Sequence, residues 1–165
     1  MQRDVQAFLD GAMGGGIATV GMSALMLVAR EAGLMGEQPP EKITAAALDA
    51  VGIEDPDEAT QDVLASLLHF SFGISTGALF AVLHRRLPFR VPAAVHGVVF
   101  GSLVWALSYQ GWIPVLGIMP PASRDRPDRP RVMLIAHWVY GAILGAIVAR
   151  RDDRVGDDAR GASAR

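Results

Sequence analysis

The chain contains no cysteine, and only 19% of its 165 residues carry a charged side chain. The absence of cysteine excludes a disulfide framework, a thiolate nucleophile and a zinc cluster built on cysteine. The few charges are concentrated in connecting segments, and 51% of all residues are hydrophobic. This distribution is typical of a membrane protein.

The motifs of soluble enzymes are also missing. The chain has no paired carboxylates inside an apolar run, no HExxH zinc motif, no phosphate-binding loop, no dinucleotide-binding glycine pattern and no nucleophile elbow. No basic patch is interleaved with aromatic residues, and the net charge is −2, so nothing favours a nucleic-acid partner. We therefore expect no enzyme activity, no catalytic residues, no bound metal and no resident cofactor.

Four stretches approach the roughly 20 apolar residues that a membrane-spanning helix needs. They lie at about 8–29, 64–83, 91–109 and 132–149. We expect the first to be a retained membrane helix and not a signal peptide, because its leader is not positively charged and no clear small-x-small cleavage site closes it. The sequence predicts an all-α, integral membrane four-helix bundle in one domain, residues 1–151, with a disordered tail at 152–165.

The distribution of basic residues predicts the topology. Arginines cluster in the short loop 84–90 and directly after the last span, whereas the loop between spans one and two is acidic and holds Lys42 as its only lysine. By the positive-inside rule we expect both termini of this multi-pass protein to be cytoplasmic, although the loop before span four also carries arginines. The lipid bilayer is then the main partner.

The loops contain structure of their own. The segment after Pro39-Pro40-Glu41 places Ile43 and Ala47 on one face, with Ala50 and Val51, and predicts a short amphipathic helix that Gly52 ends. Asp55-Pro56 predicts the N-terminus of the next helix. Residues 110–121 are too interrupted by glycine and proline to span, so we expect an interfacial or re-entrant segment there and a hydrated loop at 122–131.

One pattern, His-aromatic-x-aromatic-Gly-x-x-x-Gly, occurs twice at an offset of 68 residues, from His69 and from His137. It favours two helix hairpins related by an axis along the membrane normal, although spans one and three align poorly. Small residues let membrane helices approach closely, and the leftover contact surface makes a homo-oligomer plausible. The glycines predicted to pack helices together are Gly11, Gly15, Gly73, Gly77, Gly97, Gly101, Gly141 and Gly145.

Ionisable side chains inside a membrane are costly and mark candidate functional sites. Here the candidate polar or ligand site comprises His69, His137, Tyr140 and His96. His69 and His137 lie at the same predicted depth, about 8 Å from the outer end of their spans, and His96 lies roughly 15 Å deeper. A three-histidine metal site is therefore not expected, and His84 is expected at the inner surface.

The histidine pair admits three interpretations. Each histidine can be hydrogen-bonded across to a neighbouring helix in a purely structural role. The protein can be a small transporter or proton conductor in which His69, His96 and His137 line a polar path with Tyr140. The pair can also supply the two axial ligands of a b-type haem.

Several segments resemble the YagU-like bacterial inner-membrane proteins and related four-helix families of unknown function. They are Gly16-Ile17-Ala18-Thr19 with Met22, Pro39-Pro40-Glu41-Lys42-Ile43-Thr44, the block from His69, Gly97 through Ile118 and His137 through Gly145. The resemblance covers most of the chain from the first span to the last. It implies a cytoplasmic-membrane protein with an envelope or acid-stress role, because YagU itself has a suggested link to acid tolerance, and it supplies no catalytic residues.

The haem interpretation makes a spectroscopic prediction. Protein purified from cells with a full haem supply should show a Soret band that disappears in His69→Ala or His137→Ala. Colourless wild-type protein would exclude this interpretation.

Overall fold

The computed structural model describes the backbone of residues 2–53, 56–87 and 91–163, and the side chains of those that fall within Asp4–Arg151. All regular secondary structure in these residues is helical. The elements are α1 (Gln2–Glu31), α2 (Pro39–Ala50), α3 (Glu58–His84), α4 (Ala93–Leu107), a π-helical turn (Ser108–Trp112), α5 (Ile113–Val115) and α6 (Arg129–Ser163).

Among the described residues, four helical segments are long and apolar enough to cross a membrane: Asp4–Glu31, Glu58–His84, Ala93–Val115 and Arg129–Arg151. Each includes most or all of one predicted stretch, which confirms an all-helical protein with four candidate spans. The distribution of side-chain size also suits lipid. On α4 the large residues Val95, Val99, Leu103 and Leu107 are 49–71% exposed, whereas Gly97 and Gly101 are buried. Small residues inside and large apolar residues outside are what helix packing in hydrocarbon requires.

The third span extends beyond its predicted end at Tyr109, because the helix continues through a π-helical turn. Pro114 has no N–H to donate to the carbonyl of Gln110, so a regular α-helix cannot form there. The amide of Ile113 instead bonds to the carbonyl of Ser108, five residues earlier. Residues 108–115 therefore continue α4 with a kink at Gly111, whose φ of −99° and ψ of −106° are not helical, and this continuation contains part of the segment that the sequence predicted to be interfacial or re-entrant.

Glycines hold the four long helices in two pairs. A methyl group added at Gly15 would overlap the carbonyl oxygen of Gly73, so the backbones of α1 and α3 touch. In the same way, a methyl group at Gly97 would overlap the carbonyl of Gly141, which joins α4 to α6. The remaining predicted glycines follow the same pairing: Gly11 lies against Gly77, Gly101 against the backbone of His137, and Gly145 against Ala93.

These contacts align the two halves of the chain. Gly15 lies against Gly73 and Gly97 lies against Gly141, and Gly73 and Gly141 are equivalent positions of the repeated pattern. Gly15 therefore corresponds to Gly97, which aligns α1 with α4 at an offset of 82 residues. The side chains of α1 and α4 share little else, which explains why their correspondence is hard to recognise in the sequence. Each hairpin thus consists of two consecutive spans joined through glycine.

The two hairpins pack along only one of the two possible seams. The α1–α6 seam is filled, and Leu144 is fully buried in it. At one end of this seam the N-terminal part of α1 meets α6 near Arg151, and the Asp10 carboxylate lies 3.0 Å from Arg151. Contacts between α3 and α4 are few. They include the rings of Phe80 and Phe100, whose centroids lie 5.2 Å apart, near that same end. Farther along, the two helices are separated by a cleft.

Helix α2 lies over the cleft. An ion pair of 2.7 Å between Arg30 and Glu41 ties it to the end of α1. Ile43 and Ala47 face the cleft, whereas Val51, predicted on the same face, is 70% exposed. Gly52 ends the helix as predicted, with a φ of +75° that a side chain would disfavour.

The start of α3 differs from the prediction. Its N-cap is Asp57, which accepts a hydrogen bond of 3.0 Å from the backbone N–H of Thr60. The hydroxyl of Thr60 also donates to this carboxylate, and the two bonds lower the pKa of Asp57. The predicted cap, Asp55, lies outside the described residues.

The last helix runs to Ser163, through most of the segment 152–165 that the sequence predicted to be a disordered tail. Extending a helix that has already formed costs far less free energy than starting a new one. Residues 164–165 lie outside the described part of the chain.

Adjacent glycines in α1 provide a matched test of the pairing. We expect Gly15→Ala to destabilise the fold by about 1–3 kcal/mol, because its methyl group meets backbone that cannot move aside. Gly16→Ala should be neutral or stabilising by up to about 1 kcal/mol, since its methyl group meets only the side chain of Ile74 at 3.6 Å. Unfolding in mixed micelles measures both, and equal effects would contradict the pairing.

Candidate functional site: the cleft between α3 and α4

The cleft has a volume of about 340 Å³, within the range of ligand pockets. Helix α3 forms one side and Val104 of α4, with the π-helical turn and α5 that continue it, forms the other; α1 and α6 form the floor and α2 the cover. Leu68, Phe72 and Trp112 at its edge are 47%, 44% and 38% exposed. The mouth therefore lies between two candidate membrane spans and is bordered by large apolar side chains.

The structure brings three of the four predicted site residues to this cleft. His69 of α3 and both His137 and Tyr140 of α6 line it. His96 does not: its Nδ1 atom lies 2.9 Å from Nδ1 of His84, close to the far end of α3. In the described part of the chain, no three His, Asp or Glu side chains are grouped to hold a metal ion.

The polar link between the repeat copies comes from Tyr140 and not from the histidines. Its hydroxyl donates to the carbonyl of Gly73 at 2.6 Å and lies 2.9 Å from the hydroxyl of Thr76. His137 instead uses Nδ1 within its own helix, 2.7 Å from the carbonyl of Met133. The expected hydrogen bond from each histidine to a neighbouring helix is therefore replaced by one from the adjacent tyrosine.

The hydroxyl groups that line the cleft already have partners. Those of Thr19, Thr76 and Ser108 donate to carbonyls one turn earlier, at 2.7–2.8 Å. Such a bond uses the only proton of the hydroxyl. These groups therefore offer a ligand no free donor.

His69 is the exception. Its Nε2 atom is buried and has no hydrogen-bond partner. Among the described residues, no other side chain that lines the cleft has a buried nitrogen or oxygen atom without a partner. Leaving a buried polar atom unpaired costs about 1–3 kcal/mol, so such an atom calls for a specific explanation. The residues lining the cleft include no Asp, Glu, Lys or Arg, so no charged partner is available to it.

A buried ion pair that was not predicted from the sequence lies beside the cleft. Nη1 of Arg129 lies 3.0 Å from Oδ1 of Asp125, with only 9% and 2% of the two side chains exposed. The Nε of Arg129 donates to the carbonyl of Met35 at 3.0 Å, and the hydroxyl of Tyr109 donates to Asp125. Tyr109 lines the cleft and stacks on Trp105, so this network fixes one of its walls.

These residues belong to the segment 122–131, which was predicted to be a hydrated loop. The prediction is wrong for Asp125 and Arg129. Their spacing of four residues just before a helix was the available signal, because opposite charges at this spacing can pair on one helical face.

A family model described as a family of unknown function, DUF6789, matches residues 5–158. No curated protein and no solved structure gives a significant match. The match covers all four candidate spans and the cleft between them.

Two aspartates near the start of α6 test the buried network. Asp125→Asn should lower the free energy of unfolding by about 3 kcal/mol, because the buried charge of Arg129 loses its carboxylate. Asp128→Asn should cost less than about 1 kcal/mol, since its pair with Arg131 is exposed and 3.7 Å long. Thermal unfolding of the two variants checks this, and an equal loss would show that the network contributes little.

Proposed function

The chain belongs to the DUF6789 family, and we propose that it is a non-enzymatic protein of the bacterial inner membrane that binds an apolar molecule from the bilayer. The binding site is the cleft between α3 and α4. Its support is a single observation: of the two seams between the hairpins, one is filled by side chains and the other encloses about 340 Å³.

Physical reasoning connects this space with a ligand. Protein interiors are close-packed, and the side chains around an empty space lose dispersion contacts. Along the α1–α6 seam the same two hairpins are closely packed, and side chains fill the space between them. The α3–α4 seam opens between candidate spans, so a molecule dissolved in hydrocarbon has direct access to it.

Binding fits the chemistry of the cleft better than catalysis does. Its polar lining includes two histidines and hydroxyls that already donate to backbone carbonyls or, for Tyr109, to the carboxylate of Asp125, and no carboxylate, thiol or amine lines it directly. A proton path through His69, His96 and His137 has less support, because His96 pairs with His84 near the opposite end of α3.

The proposed topology places both termini in the cytoplasm. Arg85 and Arg86 follow α3 at the end of the bundle where Asp10 pairs with Arg151, and basic residues favour the cytoplasmic side. The cleft then lies in the outer half of the bilayer, under α2. This position is compatible with the envelope or acid-stress role that the resemblance to YagU-like proteins implies.

Neighbouring residues of α4 test the proposal. Val104 lines the cleft, whereas Leu103 is 56% exposed on the outer face of the same helix. We expect wild-type protein and Leu103→Trp to retain the same apolar molecule through purification, and Val104→Trp, which fills the cleft, to lose it. Native mass spectrometry of protein released from mild detergent measures this. Equal retention by both variants, or wild-type protein that neither retains a molecule nor binds an added apolar one, would overturn the proposal.

A further inference from the structure

We infer that the molecule bound in the cleft is an uncharged amphiphile whose carbonyl or hydroxyl oxygen hydrogen-bonds to Nε2 of His69. Its hydrocarbon chain leaves through the mouth beside Phe72 and Trp112 into the bilayer. This inference rests on the proposed function, because it names the class of ligand for the same site. It is carried by the chemistry of the lining and by the one buried atom there without a partner.

The lining excludes a charged headgroup. No acidic or basic side chain lines the cleft to pair with an ion. Burying an unpaired charge costs far more than burying a neutral polar group, and hydrocarbon around the site raises that cost further. Ionised fatty acids, amines and phospholipid headgroups therefore do not fit, whereas neutral oxygens do.

The position of the polar atoms sets the orientation of the ligand. The cover contributed by α2 is apolar where it meets the cleft, through Pro39, Pro40 and Ile43. Tyr140 on the floor and Thr76 on α3 each donate their only hydroxyl proton to a backbone carbonyl. Nε2 of His69 is the buried atom in the lining that has no partner, so we place the polar end of the ligand against α3.

The size of the cleft restricts what can enter. A water molecule occupies about 30 Å³ of the liquid, so 340 Å³ holds roughly ten groups of that size. This accommodates a small head and the first part of a chain, and not a whole phospholipid.

Nitrogen NMR of protein with isotope-labelled histidine rings tests the inference directly. The chain has four histidines, and the His69 signal is the one missing from His69→Phe. In phosphatidylcholine nanodiscs we expect a long-chain methyl ketone to shift the Nε2 resonance of His69. The alkane of equal length and the ionised fatty acid of equal length should not shift it. His84 and His96, outside the cleft, serve as internal controls.

Two variants separate the hydrogen bond from the shape of the site. His69→Phe should weaken ketone binding roughly five- to tenfold, the equivalent of one lost hydrogen bond. His69→Gln retains a donor and an acceptor and should stay close to wild type. If the glutamine and phenylalanine variants bind the ketone equally, the hydrogen bond is not formed.

The source of the natural ligand is settled by analysis of what co-purifies with the protein. Enrichment of a neutral lipid over the surrounding membrane supports a ligand of cellular origin, and binding of added ketone to otherwise empty protein supports an external one. Enrichment of a phospholipid, or a His69 shift caused equally by the fatty acid, overturns the inference.

If Val104→Trp still abolishes retention while the ketone leaves His69 unchanged, the cleft binds a ligand of another class. Failure of both tests removes the proposed function as well.

Discussion

Direct contact between helix backbones at glycine is the constraint on which the structure depends. In lipid there is no hydrophobic force to press helices together, so they associate through close van der Waals contact. Gly15 against Gly73 and Gly97 against Gly141 provide that contact, because neither pair leaves room for a methyl group. Large side chains therefore point away from these contacts. The side chains that lie between the two hairpins then determine how much space is left there.

The difference between the seams can be followed to equivalent positions of the repeat. Leu144 is fully buried in the α1–α6 seam, where a methyl group on Gly14 would lie 3.1 Å from its Cδ1 atom. Its counterpart 68 residues earlier is Thr76, which lines the cleft and bonds to Tyr140. A leucine fills one seam, whereas a shorter polar residue leaves the other open. The repeat therefore gives the protein two similar seams, and sequence differences make only one of them a pocket.

The number of spans and the helix in the first loop follow from hydrophobic length and from local signals such as Pro39 and Gly52, and both are readable from the sequence. The pairing of Gly15 with Gly73 is not, because many glycines compete as partners and only the assembled bundle selects among them. Predicted depth along the spans separated His69 and His137 from His96, which in the structure lies beside His84 and does not line the cleft. It could not show that Tyr140 takes the interhelical bond, or that Asp125 and Arg129 are buried, since these outcomes depend on contacts between distant segments.

The pairing of consecutive spans also affects how the protein is assembled. Each glycine contact joins helices that are neighbours along the chain, α1 with α3 and α4 with α6. During synthesis the first hairpin can therefore form in the membrane before the second emerges, as domains do when they fold from the N-terminus. Docking along α1 and α6 comes last, and it alone brings α3 and α4 together. The cleft is thus a product of the final assembly step and cannot exist in either half alone.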